Sequence, residues 1–471
     1  MTIIQYLNDK GYKTAPAEFY SKIKQWKSWY DGKVKGFHDY MVSTGQGGKV
    51  ECERFSMGMA KKVCEDWANL LMNEKVQITL EGKKEQEFWD DFCTKVNFDV
   101  RISEMQELKS CYGTTAYIPR IVGAAIDSDT GTLTGEADGI KMDYVTGDRI
   151  YPITWENREI TECAFASHVY TDDQDYAYVQ IHHLVDGKYR IENALLKLDK
   201  ESVTEIDMHS IRGFENVPKT VETGSDKRLF VIDRLNIVNN YDNTLPLGIA
   251  VYANAIDQLK ACDIAYDSYV NEFVLGQKRI MVKPEAVKNI DGNPYFDPND
   301  VTFYVLPEDS DPSSIIHETN MEIRAAAHNA GMQDMLNILS SRCGFGENHY
   351  RYDNGSVSTA TQIISENSEM YRTITKHEII LRSVLTELTR TVLRLGNTYM
   401  DADLDENVQI SIDFDDSIIE DKETEFNRDA RMVQMGIMQP YEFRMKHMNE
   451  DEATAKAALP KMESLVSGEN E

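Results

Sequence analysis

From Val357 to Leu395 the chain contains no glycine and no proline, and Ile374, Leu381, Leu385, Leu388, Val392 and Leu395 fall on one stripe. That spacing predicts a single helix of about 58 Å at ~1.5 Å per residue, far above the ordinary globular length. A rod of that size must lie along something long, which favours a structural frame over a compact enzyme. Two further amphipathic segments precede it. After Pro246, apolar residues recur at Ile249, Tyr252, Ile256, Leu259, Tyr266, Val270 and Phe273, broken only at Asp263. This reads as a helix of about 38 Å. A second helix is expected over about Asn320 to Arg342, returning in the opposite sense. Between them, Lys278 to Thr319 carries five prolines and ends the helical pattern. Its segments Lys278–Val282 and Val301–Val305 read as strands, with a turn at Asp291–Pro294. A two-strand module of this size cannot bury itself and needs a neighbour.

The rest of the chain divides by period. Helices are expected after Pro16 to about Tyr30, over Phe55–Asn73, Lys84–Val96 and Ile102–Cys111. From Thr114 to Asp207 the period becomes two. Thr115–Pro119, Ile140–Tyr144, Tyr178–His182 and Tyr189–Asn193 read as strands, with a turn at Asp186-Gly. Residues 208–245 read as an extended connection. The C-terminal block reads as three short helices: Asp421–Met435 stopped by Gly436, one opening at Pro440, and one capped by Asn449 with Glu452. The class is α+β.

At 471 residues the chain supports two or three cores, and 41% hydrophobic content is that of a folded protein. The formal charge of −29 argues against a gripper of phosphate backbones. It does not exclude DNA passing by, because a conduit works best with low affinity along its walls; ordinary solubility is the plainer reading. The seven cysteines (Cys52, Cys64, Cys93, Cys111, Cys163, Cys262, Cys343) form no CxxC pair and read as reduced thiols. No signal peptide or membrane span is expected.

Catalytic constellations are weak. Gly45-Gln-Gly-Gly-Lys49 lacks the first glycine and the Ser or Thr of a phosphate loop, and reads as a surface loop. His377-Glu378 has no second histidine at Leu381, so the zinc-protease spacing fails. Asp127–Gly131 fits a turn better than a calcium loop. Asp413, Asp415 and Asp416 could hold two metals for phosphodiester cleavage. The competing reading is a strand with Ile410, Ile412 and Phe414 inward and the acids outward. The loop Gly344–Gly355 presents Asn348, His349, Tyr350, Arg351 and Tyr352 between glycines. It is either a functional loop or an ordinary helix connection.

Four segments, in order along nearly the whole chain, resemble the portal protein family of tailed bacteriophages, of the siphophage type from Gram-positive hosts. They are Met59–Lys75, Glu272–Ile280, Ser358–Ser368 and Ile412–Ile418 continuing into Asp421–Asp429. The resemblance implies a portal fold: wing 1–245, stem helix 246–277, clip 278–319, stem helix 320–343, channel loop 344–357, long helix and second part of the wing 358–420, and crown 421–471. It implies a ring, twelve copies in the virion, forming a DNA channel at a unique capsid vertex for genome packaging, retention and ejection. Implied partners are double-stranded DNA, terminase, a head-completion adaptor, and major capsid and scaffold proteins, with no cofactor, no metal and no membrane. By the same resemblance Asn348–Tyr352 would line the channel. The aromatics Tyr295, Phe296, Phe303 and Tyr304 are the expected docking anchors of the clip. Ile249, Ile256, Phe273, Ile323 and Leu339 are the expected subunit packing of the stem. A non-portal head–tail connector or minor head protein, or a metal-dependent nuclease, are the alternatives.

Overall fold

The computed structural model describes residues 2–43, 47–72, 76–123, 125–126, 133–134, 137–199, 203–215, 217–276, 322–351, 360–414, 422–448, 450 and 452–459. Within 277–321 it describes the backbone of five strands. In chain order the elements are α1 (Ile3–Asp9), α2 (Ala17–Tyr30), β1 (Asp39–Ser43), β2 (Lys49–Glu53), α3 (Met59–Leu71), β3 (Gln77–Leu80), α4 (Lys83–Val96) and α5 (Phe98–Tyr112). A β-rich stretch follows: β4 (Thr114–Val122), β5 (Ala125–Ile126), β6 (Leu133–Thr134), β7 (Gly139–Thr146), β8 (Ile150–Glu156), β9 (Glu159–Thr171), β10 (Gln174–Val185), β11 (Lys188–Leu198), β12 (Val203–Ile206), β13 (Thr220–Glu222) and β14 (Val231–Arg234). Then come α6 (Ile256–Leu275), β15 (Arg279–Val282), β16 (Asn289–Ile290), β17 (Asn293–Pro294), β18 (Phe303–Val305), β19 (Ile316–Thr319), α7 (Ala325–Arg342), α8 (Ala360–Met400), β20 (Ile410–Asp413), α9 (Lys422–Gln434), α10 (Pro440–Met448) and α11 (Glu452–Ala457). The chain forms two compact units, one of residues 1–73 and 77–412, the other of 74–76 and 413–471.

In the larger unit, α3 buries Met59, Val63, Trp67 and Leu71, a strict four-residue spacing, and packs against α5. Two sheets stand beside these helices. One runs β14-β4-β7; the other runs β12-β11-β10-β9-β8, with β13 also paired to β11. The long helix α8 packs on β14, β4 and β7. All six residues of its predicted stripe are buried. Between α5 and β14 lies a fully buried ion pair. Lys109 Nζ sits 3.1 Å from both Asp233 oxygens, and Gln106 and Tyr117 also donate to Asp233, at 2.8 and 3.2 Å. Burial pushes the Lys109 ammonium down, and Asp233 opposes the shift. A buried pair of this kind holds the register of two elements more than it adds stability.

The pattern over residues 246–275 predicts a helix from Pro246, yet α6 starts at Ile256 after a short 3-10 turn, Ala253–Ala255. The cause is a backbone contact. Gly113, at φ +78°, faces Gly248 so closely that a Cβ on Gly248 would sit 2.2 Å from the Gly113 carbonyl oxygen. Gly248 N then donates to Thr114 Oγ1 at 2.8 Å and Val251 N to Ser110 O at 2.9 Å. These amides serve the α5–β4 junction instead of a helix. Likewise α7 begins at Ala325, five residues late, because the Arg324 amide and guanidinium are captured by Glu272.

Residues 279–319 hold five strands where the sequence pattern shows two. The sheet is β18-β15-β19, parallel between β15 and β18 and antiparallel between β15 and β19. A small hairpin, β16 with β17, sits within the crossover.

The smaller unit contains α9, α10 and α11. Gly436 at φ +71° ends the first turn-out after α9, and Pro440 opens α10 as its first residue. Asp429 is buried there, accepting from Lys446 Nζ at 2.8 Å, His447 Nε2 at 3.0 Å and Arg428 Nε at 3.3 Å. Burial raises the Asp429 carboxyl, but the hydrogen bonds from Lys446, His447 and Arg428 outweigh it and bring it down to about 2. Phe426, Phe443 and His447 cluster around it.

Candidate functional site

The helix pair α6–α7 is antiparallel: Tyr269 stacks on His328 at 5.2 Å, and Glu272 accepts from Arg324 Nε and Nη2 at 2.9 and 2.8 Å. The Arg324 guanidinium, helped by His328, holds the Glu272 carboxyl down at about 2. The inner face of α6 is polar. Asp263 accepts from Met57 N at 2.7 Å, from Ser56 Oγ at 3.3 Å and from His38 Nε2 at 2.9 Å. Val34 N donates to His38 Nδ1 at 2.8 Å, so the ring carries its proton on Nε2 and donates it to Asp263. Asp267 accepts from Phe55 N at 3.1 Å. Sequence reading saw Asp263 only as a flaw in an apolar stripe. A break by a carboxylate in the middle of such a stripe was the available signal, because a buried carboxylate must be paired.

The five residues expected to pack subunits separate into two groups. Ile249 and Leu339 are 1% and 0% exposed, buried within this chain, and Ile256 is half-buried. Phe273 of α6 and Ile323, two residues before α7, are 49% and 38% exposed, and Ile264, Val274 and Ile338 of the two helices are exposed as well. Ile249 and Leu339 are therefore covered by their own chain.

The start of the 344–357 loop is not a free connection. Gly344 and Gly346 adopt φ +89° and +85°, and a Cβ on Gly344 would sit 2.9 Å from Thr373 Cγ2. That sharp turn brings Cys343 O under Trp67, whose Nε1 donates to it at 3.0 Å. Phe345 stacks on Trp67 at 4.8 Å, and His349 stacks on Phe345 at 4.4 Å with an interplanar angle of 5°. Gln333 Nε2 donates to Tyr350 O at 2.7 Å and Ser340 Oγ to Gly346 O at 2.5 Å. His349 lies 3.7 Å from Asp66. Burial raises the Asp66 carboxyl, but His349 and Lys62 outweigh it and lower the group. Burial, reinforced by the Asp66 charge, pushes the Tyr350 phenol far up. His349 and Tyr350 thus anchor the loop to α3, Asn348 takes the left-handed turn at φ +67°, and Arg351 is exposed. Tyr352 lies outside the described residues.

Of the expected clip anchors, Phe303 and Tyr304 belong to β18, an outer strand of the three-stranded sheet. Tyr295 and Phe296 lie outside the described residues, as do Asp415 and Asp416 of the acidic cluster. In β20, Ile412 is buried, Asp413 is exposed and Phe414 after it is buried, the alternation of an ordinary strand. No group of three or more His, Cys, Asp or Glu among the described residues is placed to hold a metal ion. No described helix is long and apolar enough to cross a membrane.

The sequence matches the family described as phage portal protein, SPP1 Gp6-like, over residues 9–464. The chain belongs to that family. As a portal protein it is a virion component, its family is structural rather than enzymatic, and membership implies a ring oligomer in a phage head–tail assembly. No curated protein matches the chain. Among solved structures it is similar to a chain of the neck of a native GTA particle computed with C12 symmetry. The identity is 10% and the TM-score 0.38, over 82% of this chain and 88% of that one.

Proposed function

We propose that twelve copies of this portal protein form the DNA channel at one capsid vertex. The genome is packaged, retained and ejected through it. The observation that carries this reading is the family match over residues 9–464, joined to a helix pair that leaves Ile264, Phe273, Val274 and Ile338 exposed while Asp263 is tied to Met57 N of its own chain. The exposed Phe273 and Ile323, with the half-buried Ile256, pack copies together. Residues 278–319, with Phe303 and Tyr304 on an outer strand and Tyr295 and Phe296 nearby in sequence, dock terminase and then the head-completion adaptor. The loop 344–357, whose first residues are held through His349 and Tyr350, contacts passing double-stranded DNA, with Arg351 and Tyr352 as the contacting residues. Twelve copies at −29 each give walls that repel the phosphate backbone, so cargo slides rather than sticks. The portal contributes no cofactor and no bond-breaking step; the terminase drives the DNA. Scaffold and major capsid proteins seat the ring, which assembles in the host cytoplasm.

Negative-stain imaging of the purified protein tests the reading. It expects rings with a central hole, and a protein that stays monomeric at every concentration overturns it.

A further inference from the structure

Strands β1 and β2 form a hairpin that the rest of the fold does not use. They pair with each other and with no third strand. In their register Tyr40 lies opposite Cys52 and Val42 opposite Val50, while Asp39 faces Glu53, Met41 faces Glu51 and Ser43 faces Lys49. Directly opposed residues share a face and successive pairs alternate. One side of the hairpin is therefore apolar; the other is polar apart from Met41, with Asp39, Glu51 and Glu53 set against Lys49. Val42 and Val50, the outer pair of the apolar side, are 43% and 51% exposed, and no residue of either strand is buried. A two-stranded hairpin is marginal in water unless its apolar side is covered.

The root of the hairpin, by contrast, is firmly held. Arg54 N donates to His38 O at 2.7 Å, and Arg54 Nη1 to Phe37 O at 2.6 Å. The guanidinium lies over the rings of Phe37 and Tyr40, 4.3 and 4.7 Å from their centroids, and covers the inner end of the apolar side. Beneath it, Asp263 of α6 accepts from His38, Ser56 and Met57 N, and Asp267 from Phe55 N. At about 3.3 Å per residue, Val42 and Val50 stand on the order of 13 Å out from His38 and Arg54. Phe55 is 52% exposed at the root, and Ile264, one turn before Asp267, is 49% exposed. Exposed apolar side chains thus continue from the hairpin to its seat on α6.

We propose that this hairpin is an arm that packs its Val42–Val50 side against the next copy of the chain. The inference rests on ring assembly, and a neighbouring copy is the occupant that family membership itself supplies. A phosphate backbone is a poor alternative, because Asp39, Glu51 and Glu53 on the reverse side repel it. In a closed ring the contacts are head-to-tail, so each copy gives its arm to one neighbour and receives an arm from the other. Docking covers Val42 and Val50 and leaves the acidic side in water.

Hydrogen exchange of the full-length protein, in rings and in subunits diluted below the ring-forming concentration, tests it. Amides of residues 39–43 and 49–53 should exchange about tenfold slower or more in rings, while those of residues 381–395 in α8 exchange alike in both. Val42→Lys with Val50→Lys should raise the ring-forming concentration about tenfold or more. The urea midpoint of the subunit should not move, because neither side chain is buried in the single chain. Rings whose hairpin exchanges as fast as in subunits overturn the proposal and leave ring assembly standing. So does undiminished ring formation by the double variant. A chain that stays monomeric at every concentration overturns both.

Discussion

The two long helices α6 and α8 solve opposite problems. Helix α8 buries an uninterrupted apolar stripe, Ile374 through Leu395, against the sheet of its own chain. Helix α6 turns two carboxylates inward, Asp263 and Asp267, and leaves Ile264, Phe273 and Val274 outside. A helix that serves only its own fold has its grease inside and its charge in water. Helix α6 mixes the two: Leu259 and Cys262 are buried beside Asp263 and Asp267, which accept from the backbone amides of residues 57 and 55, and Ile264, Phe273 and Val274 stay exposed. A carboxylate that breaks an apolar stripe therefore marks a buried bond to another segment of the chain, and in this helix only Phe273 of the stripe stands exposed.

The largest effect that breaks the comparison is on the inner face of α6. Asp263→Leu removes the acceptor of Met57 N–H, Ser56 and His38 at once, leaving buried donors unmade. The expected loss is about 4 kcal/mol of unfolding free energy by urea denaturation followed through tryptophan fluorescence. Leu385→Ala on α8 comes next. Its side chain is fully buried, and the transfer plus cavity terms predict a loss of about 3 kcal/mol in the same measurement. If Leu385→Ala proved the more damaging of the two, the carboxylates of α6 would be incidental. Asp267→Asn is a finer test: the amide oxygen still accepts from Phe55 N–H, while the charge and the bond from Asn271 Nδ2 are lost, so about 1 kcal/mol is expected.

How much of this was legible in the sequence follows from what each segment must satisfy. Helix α8 could be read directly because its partners lie within the chain and its spacing is regular. Strands β8 and β9 could not, although they form one edge of the large sheet. Cys163, Ala164, Phe165 and Ala166 are all buried, which erases the two-residue alternation. The turn joining β8 to β9 is Asn157-Arg158, both at positive φ, 49° and 67°, and the turn after β9 is Asp172-Asp173 at 51° and 56°. These turns suit a right-twisted hairpin, but without glycine they carry no clear signal; Asp186-Gly187, with the same geometry, was readable. The loop start was missed for another reason. Its anchors Asp66 and Trp67 are far away in sequence, and only the fold brings His349 and Phe345 to them. The late start of α6 required knowing that Gly113 and Gly248 touch.

The smaller unit extends the comparison to a third helix. In α9, Asp429 is buried like Asp263, but it is held by the side chains of Lys446, His447 and Arg428, with no backbone amide among these partners. Its carboxyl stands at about 2 when folded, below the ordinary value near ~3.9. A depressed carboxyl contributes stability that is fully present above the unfolded pKa and is lost as pH falls toward the folded value. Hydrogen exchange across residues 426–448 should therefore be unchanged from pH 6 to about 4 and lose protection between about pH 4 and 2. In Asp429→Asn that acid-dependent step should vanish. All five tryptophans lie between residues 26 and 155, so fluorescence would not report this event.

Native mass measurement of the double variant Phe273→Ser with Ile323→Ser tests most directly whether the exposed apolar side chains of α6 and of the segment entering α7 join subunits. Both side chains are exposed in the single chain, so subunit stability should change by no more than about 0.5 kcal/mol. The account predicts closed rings for the unsubstituted protein and mainly monomers for the double variant at the same concentration, with the urea midpoint of the subunit unmoved. Rings that form undiminished in the double variant would contradict it.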